Sequence, residues 1–368
     1  MDIYKAKELV LKAGLNLIEK KLISGTYGNV SCRIDNYRFA VTPSGRSYQT
    51  LTPDDIVIVN ISDCSYSGNI KPSSESAVHA EVYKIFPDIN FVIHTHQENA
   101  SVISAASIDF IELAEANPYL GIEVPMADYA LPGTNELKNN VMKALSESGS
   151  KAVIMKNHGA LCLGKDYDEA FSVATELERI CHDLITMQYL RLSGKSVFDA
   201  NDMINFSLSL NHCIRDDSIL TKDINTSLPQ EAEIYDTVYS KYKELKYSLF
   251  TNTPEIRGIC CYGIELKPVL DDFAQIAGTG AKNVGPVPEE IVNALENSMV
   301  VFIRNAGALC FGRTEKEAAT VSMITQKACK AYIGASLFGK VKFIDPAECI
   351  VMHNNYWNNY SRQDELNK

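Results

Sequence analysis

The chain has 368 residues, of which 46 % are apolar and 22 % charged, with a formal net charge of −11. That length allows two domains with a sizeable core, and the balance excludes disorder, collagen and coiled coil as the main architecture. An acidic chain argues against nucleic acid as a partner, yet leaves open an anionic small molecule held by loop amides. Apolar runs such as Val300 to Ile303 fall far short of the roughly 20 residues that a membrane span needs, and the start Met1-Asp2-Ile3-Tyr4-Lys5 has no signal-peptide apolar region. Ten cysteines without a C-x-x-C pair are expected as free thiols in a reducing cytoplasm.

In chain order, apolar residues at helical spacing predict a helix over 4–22. A Gly-rich turn, 24–29, leads into short strands at 30–34, 38–42 and 56–60. Ser73 or Ser74 can cap a helix running to Phe86. A strand over 91–96 ends in two histidines, and a helix follows from about Asn99. Gly133-Thr134 opens a helix to about Ser148. Strands at 153–156 and 161–164 flank Gly159, and a long helix spans 167 to about 192.

The segment Val153-Ile-Met-Lys-Asn-His-Gly-Ala-Leu-Cys-Leu-Gly-Lys returns as Val301-Phe-Ile-Arg-Asn-Ala-Gly-Ala-Leu-Cys-Phe-Gly-Arg, 148 residues later, and ten of 21 positions from 153 onward are identical. The chain is therefore a duplication. Upstream, 87–96 pairs with 254–263, which puts Cys261 and Gly263 at the positions of His94 and His96. Ala306 replaces His158, and at constant spacing Tyr242 falls on Glu75. Two units are expected, 1–215 and an abridged 216–368 whose role is packing. Gly278-Thr-Gly-Ala-Lys-Asn-Val-Gly285 lacks the G-x-x-x-x-G-K-[ST] and G-x-G-x-x-G spacings, so it reads as a loop entering a helix, matching 132–138.

Of seven histidines, His94 and His96 stand two apart on a strand, and alternation sends both to one face. His158, after another strand, offers a third imidazole. Three imidazoles leave an open position, the pattern of a catalytic rather than a structural zinc site. His79, four residues after Glu75, reads as structural or supporting.

Gly25-Thr-Tyr-Gly-Asn-Val-Ser31, Thr42-Pro-Ser-Gly45, Lys71-Pro-Ser-Ser-Glu75, His94-Thr-His96 and Lys156-Asn-His-Gly159 occur in that order. Together they resemble the class II sugar-phosphate aldolases, the fuculose-phosphate aldolase and adducin head family, over residues 1 to about 200. The resemblance implies an α/β/α sandwich around a mainly antiparallel sheet, partially duplicated here. It also implies a homo-oligomer with sites between subunits. It makes His94, His96 and His158 the ligands of one Zn2+ or other divalent ion per chain, and Glu75 the catalytic carboxylate. Thr26, Gly28, Asn29, Ser44, Gly45, Ser73 and Ser74 match the pocket for a substrate phosphate.

The chemistry so implied is retro-aldol cleavage of a phosphorylated ketose to dihydroxyacetone phosphate and an aldehyde. The metal acts as Lewis acid and Glu75 moves a proton. A tyrosine serves the aldehyde-side oxygen in this family. Here the segment 110–128 departs from the pattern, leaving Glu115, Tyr119, Asp128 and Tyr129 as candidates, with Tyr129 taken first. An epimerase or dehydratase on the same site is the competing enzyme reading, and an adducin-like interaction protein the non-catalytic one. Intact Glu75 and three histidines argue against the latter.

Overall fold

A computed structural model describes residues 1–23, 27–211 and 231–358. The expected boundary at 215/216 lies outside them, as do Thr26 and His212. The chain divides into two compact units, and the division falls within one long helix, between His182 and Asp183.

The first unit runs α1 (Ile3–Glu19), β1 (Asn29–Arg33), β2 (Arg38–Val41), β3 (Val57–Asn60), α2 (Ser76–Ile85), β4 (Phe91–Thr95), α3 (Glu98–Ser104), β5 (Phe110–Asn117), β6 (Gly121–Ala127), α4 (Asn135–Ser148), β7 (Ala152–Met155), β8 (Gly159–Gly164) and the first part of α5 (Tyr167–Ser193). Its eight strands form one sheet in the order β3-β2-β1-β4-β8-β7-β6-β5, antiparallel throughout except for β6 beside β7. Local chemistry places the helix ends. Asp2 accepts the Lys5 N–H at 3.1 Å to start α1, and the Thr134 hydroxyl accepts Leu137 N–H at 3.2 Å to start α4. Sheet residues Val92, Val153 and Leu161 share a buried core with Val82 of α2 and Val141 of α4. Full burial of each such side chain is worth about 1.5–3 kcal/mol.

The hairpin of β5 and β6 was not expected. Of β5 only Ile111 is buried, so the period-2 alternation that marks a half-buried strand is missing there.

The strand directions gather the motifs. β2, β4, β6 and β7 all point the same way, and β1 runs against them. The exits of β2, β4, β6 and β7 and the entry of β1 therefore share one end of the sheet. That end carries 28–29, 42–45, His96, 128–129 and 156–158. The hairpin tip at 117–121 lies at the other end.

The second unit continues through α6 (Ala200–Asn211), α7 (Glu231–Lys241), β9 (Tyr247–Thr251), α8 (Pro254–Cys261), α9 (Asp271–Ala277), β10 (Asn283–Val284), α10 (Pro288–Ala294), β11 (Val300–Ile303), β12 (Gly307–Gly312), α11 (Glu315–Ala335) and α12 (Pro346–Asn358). Its sheet, β10-β11-β12-β9, repeats β6-β7-β8-β4, including the parallel first pair. Strands equivalent to β1–β3 are absent among the described residues. Val301, Ile303 and Leu309 are fully buried, as the repeat predicts. Within this unit Lys327 of α11 and Asp272 of α9 form a buried ion pair at 2.7 Å.

The register corrects the expected alignment of the two copies. Leu161 of β8 faces His94, and its counterpart Leu309 of β12 faces Phe250. Phe250, Thr251 and Asn252 thus stand where His94, Thr95 and His96 stand in the first copy. Residues 254–261 are not a strand; they form α8, which follows β9 as α3 follows β4. Pro254 misled the alignment: it opens a helix at its first turn, whereas Pro87 follows the end of one. Counting back from β9 as from β4 places exposed Glu231, not Tyr242, at the position of Glu75. Asn283-Val284 likewise corrects the loop reading of 278–285, since they form β10 beside β11.

No helix among the described residues is long and apolar enough to cross a membrane. The nine described cysteines form no disulfide.

Candidate metal centre

His94 and His96 leave β4 on one face, and the turn between β7 and β8 delivers His158 to them. That turn needs Asn157 at φ 58°, a conformation that Asn tolerates better than most residues, and Asn305 repeats it at φ 57°. Gly159 is required by close approach, because a Cβ there would run into the Thr95 carbonyl. The repeat keeps this crowding at Gly307 against Thr251.

The three imidazoles are buried, and their ligand atoms lie within 4.8 Å of one another. Nε2 of His94 is 2.9 Å from Nε2 of His96 and 3.0 Å from Nε2 of His158. Nδ1 of His94 lies 3.0 Å from the Ala160 carbonyl, which can only accept, so the proton of neutral His94 sits on Nδ1 and Nε2 presents a lone pair. Burial pushes the His94 imidazole well below its ordinary range, which keeps it neutral.

Glu75, buried just ahead of α2, closes the cluster. Its Oε2 is 3.3 Å from His94 Nε2, and its Oε1 is 3.2 Å from His158 Nε2. Burial alone would raise the carboxyl, but the His94 and His158 imidazoles and the hydrogen bonds from His158 and Asn29 outweigh it and hold the group well below the usual carboxylate range. The Glu75 carboxylate and the Nε2 lone pair of His94 thus meet at one interior point, where a positive charge is favoured. This donor set fits a divalent ion, and His94, His96 and His158 can hold one.

Gly28 enters β1 at φ 95°, and a Cβ there would come within 2.8 Å of the His94 carbonyl. The loops 42–45 and 71–74 are clasped together. Ser44 N–H donates to Lys71 O and Ser73 N–H to Thr42 O, both at 3.0 Å. Gly45 turns at φ 69°. Ser73 is buried and accepts the Glu75 N–H at 3.3 Å, while Ser74 is exposed. The helix expected to start at Ser73 or Ser74 starts at Ser76.

Tyr129 lies two residues past β6, half-buried, at the motif-bearing end of the sheet. Glu115 and Tyr119 lie towards the far end of the hairpin, where about seven strand residues, or roughly 23 Å, separate the tip from that end. Asn29, expected in the phosphate pocket, has its side-chain amide engaged on both sides: Nδ2 donates to Glu75 Oε2 at 2.8 Å, and Oδ1 lies 2.5 Å from His79 Nε2. Sequence reasoning missed Ser31 and Tyr83, which continue this chain beyond His79. The spacing Glu75, His79, Tyr83 along one helix was the available signal.

In the second copy Phe250 and Ala306 replace two of the imidazoles, so the frame persists without the ligands.

The chain belongs to the class II aldolase and adducin N-terminal domain family, whose model matches residues 8–185 and again 194–333. It is thus a tandem of two family units, the second degenerate. A 5-deoxy-D-ribulose 1-phosphate aldolase of Bacillus thuringiensis serovar kurstaki is 31 % identical over 179 residues, 48 % of this chain and 83 % of that protein. Among solved structures, an L-fuculose 1-phosphate aldolase is 30 % identical, over 54 % of this chain and 92 % of that one, with a TM-score of 0.48. An L-fuculose-1-phosphate aldolase from Thermus thermophilus is 27 % identical, over 52 % and 98 % of the two chains, with a TM-score of 0.43.

Proposed function

We propose that the first copy cleaves a phosphorylated ketose by a retro-aldol reaction, giving dihydroxyacetone phosphate and an aldehyde. The observation that carries this reading is the convergence of three histidine nitrogens and Glu75 at the sheet end where two clasped, hydroxyl-rich loops also meet. A divalent ion, zinc in our reading, held by His94, His96 and His158 supplies Lewis-acid stabilisation of negative charge on the substrate oxygens. Glu75 moves the proton at the carbon beside the carbonyl, the role for which an ionised, buried carboxylate is suited. Thr26, Gly28, Ser44, Gly45, Ser73 and Ser74 receive the phosphate, through hydroxyls and through backbone that glycine allows to come close. Asn29 orients the Glu75 carboxylate. Tyr129 serves the departing aldehyde oxygen, and the protein works as a homo-oligomer. The first unit catalyses, and the second is a framework.

The test is an assay of zinc-loaded protein on 5-deoxy-D-ribulose 1-phosphate and L-fuculose 1-phosphate, scored for release of dihydroxyacetone phosphate. Isomerised sugar phosphate without that product would identify an epimerase and overturn the reading.

A further inference from the structure

The face of β1 that carries Asn29, Ser31 and Arg33 lies under the stripe of α2 that carries His79 and Tyr83, with Glu75 just before it. Two strand residues advance about 6.6 Å and four helical residues about 6.0 Å, so the two series stay in step. Asn29 and Ser31 are thereby each shared between successive members of the helical stripe. Asn29 joins Glu75 to His79. Ser31 Oγ lies 2.7 Å from His79 Nδ1 and 2.7 Å from the Tyr83 hydroxyl. Arg33 donates to the Tyr83 carbonyl at 2.7 Å and lies over the Tyr83 ring, 4.7 Å from its centroid.

The hydrogen bonds among these side chains have a single consistent direction. A carboxylate only accepts, so Asn29 must present its NH2 to Glu75 and its carbonyl to His79. His79 must then carry its proton on Nε2, leaving Nδ1 to accept from Ser31. Ser31, having donated its one proton, accepts from Tyr83. Burial favours the uncharged forms that this order needs, lowering His79 to about 4 and holding the Tyr83 phenol well above its ordinary value. Glu75, Asn29, His79, Ser31 and Tyr83 are all buried, so water does not compete for the bonds among them.

We infer that His79 is a positioning residue: its Nε2–H locks the Asn29 amide, which in turn holds the Glu75 carboxylate against His94 and His158. This rests on the reading of Glu75 as the proton-moving group. Without His79 the Asn29 amide can rotate, and the carboxylate loses its directed donor. The effect belongs to turnover more than to substrate binding.

Two variants separate the two ends of the imidazole. In His79→Gln the side-chain amide reaches the position of Nε2 and can still donate to Asn29. In His79→Asn the shorter amide reaches only the position of Nδ1 and meets Ser31 alone. With zinc-loaded protein and 5-deoxy-D-ribulose 1-phosphate or L-fuculose 1-phosphate, whichever is cleaved, His79→Asn should lose about 10- to 100-fold in kcat, the scale of a lost hydrogen bond to a charged group. Its KM and its zinc content should stay within about two-fold of the parent, and His79→Gln should recover most of the loss. In a Glu75→Gln background, His79→Asn should add little, because the group it positions is gone. Equal kcat for the Asn and Gln variants, or a full further loss in the Glu75→Gln background, would overturn the inference. If Glu75→Gln itself keeps full activity, the reading of Glu75 fails instead. Neither substrate being cleaved would refute the proposed activity on these sugars. The two His79 variants would then be compared by amide exchange at Asn29, which His79→Asn alone should quicken; equal exchange would overturn the lock.

Discussion

Phe250 occupies in the second copy the strand position that His94 occupies in the first, each facing the equivalent leucine, Leu309 or Leu161, on the neighbouring strand. A phenyl ring has no lone pair to offer a metal. The protein should therefore bind about one tight equivalent of divalent metal per chain. Elemental analysis after gel filtration measures this, and two tight equivalents would contradict it. His94→Ala should abolish the tight equivalent.

Removing the metal should lower thermal stability as well as activity. Ligand binding to the folded chain alone contributes RT ln(1 + [L]/Kd), about 4 kcal/mol at a thousand-fold excess over Kd. Melting should fall on chelation and recover on adding zinc. His94→Ala should melt at the same temperature with and without chelator.

Glu75→Gln should retain zinc and lose about 10²- to 10⁴-fold in kcat, because an amide keeps the shape but cannot take a proton. Metal content and turnover measured on one preparation separate the two effects. Full activity would leave Glu75 a purely structural role.

Ser44→Ala and Ser73→Ala should each raise KM by about ten-fold for a phosphorylated substrate, the scale of one hydrogen bond to a charged group. Inorganic phosphate should compete with substrate in the parent and compete less well in the variants. Equal efficiency on the phosphate-free sugar would remove the phosphate loops from the reading.

His79 gives stability a defined pH dependence. Its ordinary value of 6.5 is lowered to about 4 by burial in the folded chain. Between those values the unfolded chain binds a proton that the folded chain refuses, so stability falls as pH falls. The contribution is complete above pH 6.5 and fades towards pH 4, by about 3 kcal/mol in all. Urea midpoints between pH 7 and pH 4 should show a steeper decline for the parent than for His79→Gln. Parallel declines would mean that His79 titrates alike in both states.

In the second unit Asp272→Ala should cost about 3–5 kcal/mol, because it leaves the Lys327 ammonium buried without its counter-charge. Replacing both with Leu and Met should cost much less. Chemical denaturation of the two variants beside the parent decides, and equal losses for the single and double replacements would contradict the argument.

Much of the candidate site is written locally in the chain. Two residues of strand spacing between His94 and His96 suffice to put both on one face, and the repeated Asn-x-Gly turn marks where a third strand end arrives. The directions of β1, β2, β4, β6 and β7 bring these motifs together, and no local pattern states them. The β5–β6 hairpin was illegible because it buries too little to alternate. The alignment of 254–263 with 87–96 failed because proline, isoleucine and small residues recur in helix starts as in strand entries. Only pairing with β12 separates the two. The Asn29–His79–Ser31–Tyr83 chain was hidden for another reason. Its members lie about 45–55 positions apart, and the matching spacings gain meaning only once α2 is known to cover β1.

The near-equality of two strand steps and four helical steps works as a ruler with little tolerance. Deleting or inserting one residue between Glu75 and His79 would turn the rest of α2 by about 100° and carry His79 and Tyr83 away from β1 together. A length change in this part of the chain should therefore be tolerated best in the exposed connection between β3 and Lys71, where an extra residue is absorbed by solvent-facing backbone. A scan of single-residue deletions across 61–79 should show that boundary as a step: near-parental metal binding through most of 62–70, and loss of turnover at every position from 76 to 79.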